Sequence, residues 1–585
     1  MTRSQIRRTS QLHFIAILLL LSVLVSGCAG KEETSAAKPT MTLTFTSTPA
    51  DAATIELPTA LPPTATPTLI PASPNSSDAM EAGLIILAMA DGQYKHLFAY
   101  HPIYLPLTRL TADAWDSDHP AISPDGSKIA YCANEFGHWD IFILDLLNGE
   151  KTRLTQTETY ACSPSWSPDG EWLAYESVQD TKLSIIIQSV SDTSSAPVQL
   201  TDNLSNNFDP AWSPGGREIA FVTDRNGRQE IWLADLDASE DRFSPVASSD
   251  DADYSSPDWS LNGDALVWVK TDDFPQVEKL NVTESDSRIM TLGMGTVPTW
   301  VTNNSGIAAI LRSPNSYDLV SYRNNPTRLL YPPIHLSQQV SAINWKPGPI
   351  VQNIQQYLSF TSLPESIELL QPQISSPDTD TGRYELIYLD DIDSPDPYLS
   401  DAIDENFFAL RTAVEGELGW DYLGILENAD VRLPSSSQSD FEENWLYTGR
   451  AIAVNMDPLD AGWMAVSRED YNGRTYWRIW LKCKDQDGTC GVPLKEPVWD
   501  FNARFNGDFS TYEEGGAYGP FPGGYWVDFT GFALDYGWER LPAKSNWRGY
   551  FPATQLGIFV QKDNLAWREA MLQLYPVEMI EALLQ

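Results

Sequence analysis

Pro164-Ser165-Trp166-Ser167-Pro168-Asp169-Gly170 decides the fold because it returns along the chain. Pro120-Ala121-Ile122-Ser123-Pro124-Asp125-Gly126 precedes it, and Pro210-Ala211-Trp212-Ser213-Pro214-Gly215-Gly216 follows. Weaker copies stand at Pro257-Asp258-Trp259-Ser260-Leu261-Asn262-Gly263, at Pro298-Thr299-Trp300 and at Asn344-Trp345-Lys346-Pro347-Gly348. The spacing is about 41 to 47 residues, the period of a β-propeller blade. Pro-Asp-Gly suits a tight turn, since Pro presets φ and Gly accepts positive φ. The Trp before the turn reads as a packing residue between blades.

Working outward, each turn is followed by a short apolar strand: Ile129-Ala130-Tyr131, Leu173-Ala174-Tyr175, Ile219-Ala220-Phe221 and Leu266-Val267-Trp268. A second strand comes next, as in Asp140 to Leu144, Leu183 to Ile187 and Glu230 to Leu233. A closing strand ends the unit, as in Thr152 to Thr155 and Val198 to Thr201. With the strand that carries the phrase, each unit has four strands. Residues 83–111 hold three strands of a unit without its beginning, and Ala342 to Trp345 supply that beginning. The count is six blades, five continuous and one composite, which hides the edges an open ring would expose.

The phrase, with its Ile-Ala-Phe and Ile-Trp-Leu strands and closing Leu-Thr, resembles the WD-like repeat of TolB-type propellers. The resemblance spans residues 83–348, under half of the chain. It is strong from Pro120 to Gly263 and weaker after Pro298, where the Ser-Pro-Asp part is lost. It implies an exported six-bladed propeller that serves as a protein-binding scaffold. Similar propellers cap serine peptidases of the prolyl oligopeptidase kind. Those need a Gly-x-Ser-x-Gly elbow and a later His, and neither follows the propeller here.

The start of the chain reads as a targeting segment, residues 1–28. Arg3, Arg7 and Arg8 are followed by an uncharged aliphatic run from Phe14 to Val25, too short for a typical spanning helix. Val25-Ser26-Gly27-Cys28 resembles a bacterial lipobox, which implies that Cys28 is diacylated and becomes the mature N-terminus. Two or three acyl chains on one Cys give stable anchoring. Residues 29–80 are rich in Thr, Pro, Ser and Ala and bury too little apolar area to fold. They read as a disordered stalk, extended by its prolines.

The 585 residues carry a formal net charge of −41. That argues against nucleic acid, which needs clustered Lys and Arg. Beyond Cys28 there are four cysteines, an even number suited to an exported protein. Cys483 and Cys490 flank a turn-rich hairpin tip and are expected to pair. Cys132 and Cys162 lie on neighbouring repeat units and are candidates for a bridge between blades.

A linker is expected at 350–382, and an aromatic-rich α+β domain at 383–585. Asp401 to Leu418 has helical periodicity, with Ser400 or Asp401 as its cap. Arg450 to Val454, Trp463 to Val466, Tyr476 to Leu481 and Leu556 to Val560 read as strands, and Leu565 to Leu574 as a last helix. The Gly/Pro-rich stretch holding Phe521, Tyr525 and Trp526 reads as a loop that, with Trp445, offers a ligand surface. Leu446-Tyr447-Thr448-Gly449-Arg450-Ala451-Ile452-Ala453 faintly resembles the His-x-x-Gly-x-Ala-x-Asp signature of zinc peptidases of the D-alanyl-D-alanine carboxypeptidase and Hedgehog type. The family's metal-binding His and Asp are replaced here by Leu446 and Ala453. All six histidines lie at or before His335, so a His-bearing zinc site or Ser-His-Asp arrangement confined to this domain is excluded. Asp485-Gln486-Asp487-Gly488 lacks the full ligand series of a calcium loop and reads as a polar turn.

The chain therefore reads as multidomain, an all-β six-bladed propeller at 81–349 followed by an α+β domain. It is expected to be a lipid-anchored protein of the bacterial cell envelope, facing the extracytoplasmic side. It would bind a protein or cell-wall component, with the membrane held through the anchor. No catalytic residue, metal or cofactor is assigned. The alternative is a peptidoglycan or glycan hydrolase using carboxylates of the C-terminal domain.

Overall fold

Each copy of the phrase forms the first strand of a four-stranded antiparallel sheet, and six such sheets make the ring. The structure, a computed structural model, describes residues 83–584 apart from 102–104, 193–194, 273, 285–287, 302–303, 325–327, 337, 349, 362, 364–381 and 434–442. Cys28 and the stalk at 29–80 lie outside the described residues.

Five blades are continuous in sequence. They begin with the strands Ser117–Ile122, Ala161–Trp166, Asn207–Trp212, Asp253–Trp259 and Thr296–Trp300. The remaining blade is composite. Val340–Lys346 supplies its first strand, and Leu84–Asp91, Tyr94–His101 and Leu105–Arg109 supply the rest. Leu84 pairs with Lys346 and Ile86 with Asn344, so the two ends of the ring are zipped together.

Neighbouring blades share apolar cores. The composite blade and the last continuous blade meet through Leu87, Phe98, Ile310, Leu319 and Trp345. The blades that begin at Ala161 and Asn207 meet through Ala174, Ile185, Ile219 and Phe221. These residues alternate along their strands with residues facing the other side, as period-2 geometry requires.

Residues 350–382, expected as a linker, begin instead with helix α1 (Ile350–Phe360). Ile350, Val351, Ile354 and Tyr357 form its buried stripe, and they pack on the composite blade and the blade that begins at Ser117. Asn353 Nδ2 donates to the Gly126 carbonyl at 2.7 Å, and the Tyr357 hydroxyl to the Leu110 carbonyl at 2.8 Å. The polar run around α1 masked this apolar spacing in the sequence.

The C-terminal region is α+β. One sheet has the order Leu426–Asn428, Ala451–Val454, Ile558–Val560, Glu539–Arg540. The other runs Met464–Tyr471, Arg474–Lys482, Tyr525–Asp528, Val492–Pro493. Asn472 and Gly473, both at positive φ, form the tight turn joining Met464–Tyr471 to Arg474–Lys482. Helix α2 (Asp404–Leu418) buries Phe407, Leu410, Val414 and Leu418. It starts later than expected because Tyr398–Ser400 is a strand paired with Leu386–Tyr388. Its N-cap is Ile403, with no side-chain cap, rather than Ser400 or Asp401. After Trp567–Leu574 the chain resumes helix at Val577–Leu583 beyond Pro576, which sits at the N-cap.

Candidate functional site: the central channel

The first strands surround a cavity of about 450 Å³ lined by residues of all six blades. A belt of hydrogen bonds joins every blade to the next just behind its wall. Side chains between the Pro and Trp of the phrase accept from the next blade's backbone. Ser165 Oγ takes the N–H of Trp212 at 2.9 Å, and Asp258 Oδ2 that of Trp300 at 3.1 Å. Thr299 Oγ1 takes that of Trp345 at 3.2 Å, and Asn344 Oδ1 that of Ile122 at 3.1 Å. Where the position is alanine, the next indole reaches the main chain instead. Trp166 Nε1 donates to the Ala121 carbonyl at 3.0 Å, and Trp259 Nε1 to that of Ala211 at 3.1 Å.

The residue before each Pro is the unusual one. His119, Ser163, Asp209, Ser256 and Val297 have φ of 47°, 51°, 49°, 51° and 45°. A non-glycine residue at positive φ is uncommon, a β-branched one more so, and a following Pro disfavours it further. Each falls at a break in the pairing register of its first strand. Such bulges re-aim side chains, and all five residues line the cavity. The composite blade departs from this pattern, with Ile343 in place of Pro.

Around the ring, the Pro-Asp-Gly turns lie on one face. The opposite face carries the turns between second and third strands and the crossings to the next blade. The C-terminal domain sits on that opposite face. Trp139 Nε1 donates to the Gly491 carbonyl at 3.1 Å, and Arg540 Nη2 to that of Pro314 at 2.6 Å. Gln339 Nε2 reaches Asp528 Oδ2 at 3.2 Å. Gly488 stands so close to the Thr159 carbonyl that a Cβ there would lie 2.3 Å from its oxygen. Gly488 is therefore needed both for its φ of 91° and for this approach.

One side chain of that domain enters the channel. Lys495 Nζ lies 2.6 Å from Glu176 Oε1, 2.9 Å from Asp209 Oδ1 and 3.3 Å from Ser163 Oγ, with the Phe208 ring centroid at 5.6 Å. Gln229 Nε2 donates to the Lys495 carbonyl, and Glu496 pairs with Arg312 at 2.7 Å. Burial works against the ammonium charge, but Asp209 and Glu176 outweigh it and hold the lysine pKa above its ordinary value. The cavity thus has a floor of charge at Lys495 and a mouth among Pro124, Pro168, Pro214, Leu261 and Pro347.

The residues nominated from sequence lie elsewhere. Cys132 is joined to Cys162 and Cys483 to Cys490, with Cα separations of 5.0 and 6.0 Å. The first bond ties two adjacent blades beside the channel, where Cys162 Sγ is 3.5 Å from His119 Nδ1. Tyr525 and Trp526 do not form an exposed surface. Their segment is an inner strand, paired on both sides, and its two faces are covered by different apolar clusters. Phe521 and Trp445 are partly exposed, but Trp445 packs with Trp567, Met571 and Ile580. The four therefore do not meet in one patch. Leu446 and Ala453 come together in an apolar cluster with Ala451 and Val560, so no metal-ligand atom stands at either position.

Residues 114–322 match the family described as PD40, TolB beta propeller domain. This region is a TolB-type propeller. The chain is 33% identical over 144 residues to a TolB homologue of Chlorobium chlorochromatii, covering 25% of this chain and 31% of that protein. It is 28% identical over 156 residues to an uncharacterized protein of Agrobacterium fabrum, covering 25% of this chain and 53% of that one. This chain therefore spans about half or less of the curated relatives it matches. Among solved structures it is similar to TolB from Acinetobacter baumannii, at 18% identity and a TM-score of 0.41, covering 46% of this chain and 67% of that one.

The TolB-type ring and the C-terminal domain also meet through buried charge. The Asp535 carboxyl is pushed up to about 8 by burial, Asp528 adding to the effect and Lys95 of the ring opposing it. In the unfolded chain the group would titrate near 3.8. Between those values the folded state binds the extra proton, so stability falls as pH rises through that window. Asp535→Asn removes this slope, worth at most about 5 kcal/mol across the window. Urea titrations at both ends of the window check it, and equal slopes in the two proteins refute it.

Proposed function

We propose that this chain is a lipid-anchored extracytoplasmic scaffold whose propeller binds a protein or cell-wall ligand through the open channel mouth. The observation that carries the reading is the set of strained residues at His119, Ser163, Asp209, Ser256 and Val297. Strained backbone persists where the fold over-determines it, and it clusters at ligand sites. Repetition at one position in five blades speaks for a shared use. The chain's own C-terminal domain covers the other face; on the Pro-Asp-Gly side α1 packs over the Gly126 turn, and the mouth among Pro168, Pro214 and Leu261 is left for a partner. The anchor at Cys28, the stalk at 29–80 and the envelope location rest on the targeting segment. The likeness to TolB homologues supports the envelope location.

The hydrolase alternative has less support. Glu469 and Asp528, two half-buried carboxylates of the C-terminal domain, are engaged by Arg478 and Arg540. The test incubates detergent-solubilised full-length protein with peptidoglycan sacculi and with soluble envelope extract. Retention without fragment release is expected. Leu261→Arg, which crowds the mouth, should weaken retention by about tenfold or more, equivalent to losing one good contact. Muropeptides in the supernatant would replace the scaffold reading with the hydrolase one.

A further inference from the structure

The seat that holds Lys495 at the floor of the channel is built by the propeller alone. Glu176 is fully buried, and its carboxylate is oriented by ring residues. The Tyr160 hydroxyl donates to Oε1 at 2.9 Å, and the Asp209 backbone N–H to Oε2 at 3.0 Å. Asp209, Ser163 and the Phe208 ring complete the seat. Three oxygens within 3.3 Å of one nitrogen match the three donors of a primary ammonium, and an aromatic face beside them adds attraction. A buried carboxylate is costly without a cation, so the seat demands an occupant. That occupant comes from a loop more than 280 residues away in sequence.

Lys495, Asp209 and Ser163 all line the cavity that opens at the Pro-Asp-Gly side. The Lys495 side chain keeps 19% of its surface exposed. Part of the side chain therefore faces the cavity that opens at the mouth, while Gln229 holds its backbone and Arg312 its neighbour Glu496. We propose that this seat is a receptor for a primary ammonium group, and that Lys495 fills it as an internal latch which a lysine-like side chain on a ligand entering the mouth displaces. The proposal rests on the reading that the mouth binds a ligand, and it names the chemistry that ligand presents. An intramolecular occupant competes at high effective concentration. The ligand must therefore carry its ammonium on a segment that also contacts the mouth. Displacement frees the Leu494-Lys495-Glu496 loop and loosens the C-terminal domain from the ring.

The test is chemical rescue of the full-length protein. Lys495→Ala leaves Glu176 and Asp209 without their cation, and its Tm falls. Millimolar n-butylammonium is expected to raise that Tm by about 2–4 °C, the shift a saturating ligand gives a chain of this size. Tetramethylammonium at equal ionic strength, which cannot donate hydrogen bonds, should not. Neither wild type nor the Lys495→Ala/Glu176→Gln double variant should respond. Absence of rescue, or equal rescue in all three proteins, overturns the proposal. If Lys495→Ala does not fold, Lys495→Met replaces it, and the yield of refolded protein with and without the amine is the readout. Sacculus retention of Leu261→Arg reports separately on whether the mouth binds at all.

Discussion

Arg478→Leu is expected to cost about 3–5 kcal/mol, the range for removing one partner of a buried ion network. Arg478 is only 1% exposed. Its Nε lies 2.6 Å from Glu469 Oε1 and its Nη1 2.5 Å from Asp528 Oδ2. Arg540 holds the other Glu469 oxygen at 2.6 Å and also donates to the Pro314 carbonyl of the ring. Leucine would leave two carboxylates buried with half their partners, at the point where domain and propeller meet. Burial pushes the Glu469 pKa up, but Arg478 and Arg540 overcome it and hold the carboxyl well below its ordinary value of 4.5. The folded pKa is depressed, so this stabilisation is complete above about 4.5 and is lost as pH falls below it. Urea unfolding at neutral pH should show the loss, and the variant should lose less on acidification than wild type. An unchanged midpoint would mean that the network contributes nothing net.

Trp345→Ala is expected to cost a similar 3–5 kcal/mol through the cavity it leaves. Trp345 is 2% exposed and sits on the strand that closes the ring. Its backbone N–H is held by Thr299, and its ring meets His101 edge-on at 5.8 Å. The damage therefore falls on the closing ladder itself. Trp463→Ala is the contrast, since that indole is 41% exposed and its removal should cost under about 1 kcal/mol. Equilibrium unfolding followed by fluorescence separates the two. Equal losses would show that burial at the closing strand carries no special weight.

The ring was legible because its signal is local and repeated. A turn phrase, a short apolar strand and a fixed period need no knowledge of distant contacts. The composite blade followed from three strands lacking a fourth at one end and a spare first strand at the other. The positive φ of His119 or Val297 was not legible, since a residue before Pro prefers extended backbone and a β-branched one strongly so. The one available signal was positional, the variable residue preceding a repeated Pro. Lys495 was hidden for another reason. It is one of many charged residues in an acidic chain, and its partners lie hundreds of residues upstream. Tyr525 and Trp526 misled because glycine and proline beside them read as a loop. The strand begins just after Gly524 and is flanked on both sides.

The zipped blade has a mechanical consequence. Leu84–Asp91 is the second strand of its sheet, bonded along its length to Val340–Lys346 on one side and Tyr94–His101 on the other. Tension applied along the chain at residue 83 would load both ladders in shear, where many hydrogen bonds must yield together rather than one at a time. Gly83 is wedged there, where a Cβ would lie 2.2 Å from the Lys346 carbonyl oxygen. The fold thus places a shear-loaded, doubly bonded strand where the chain preceding residue 83 would pull.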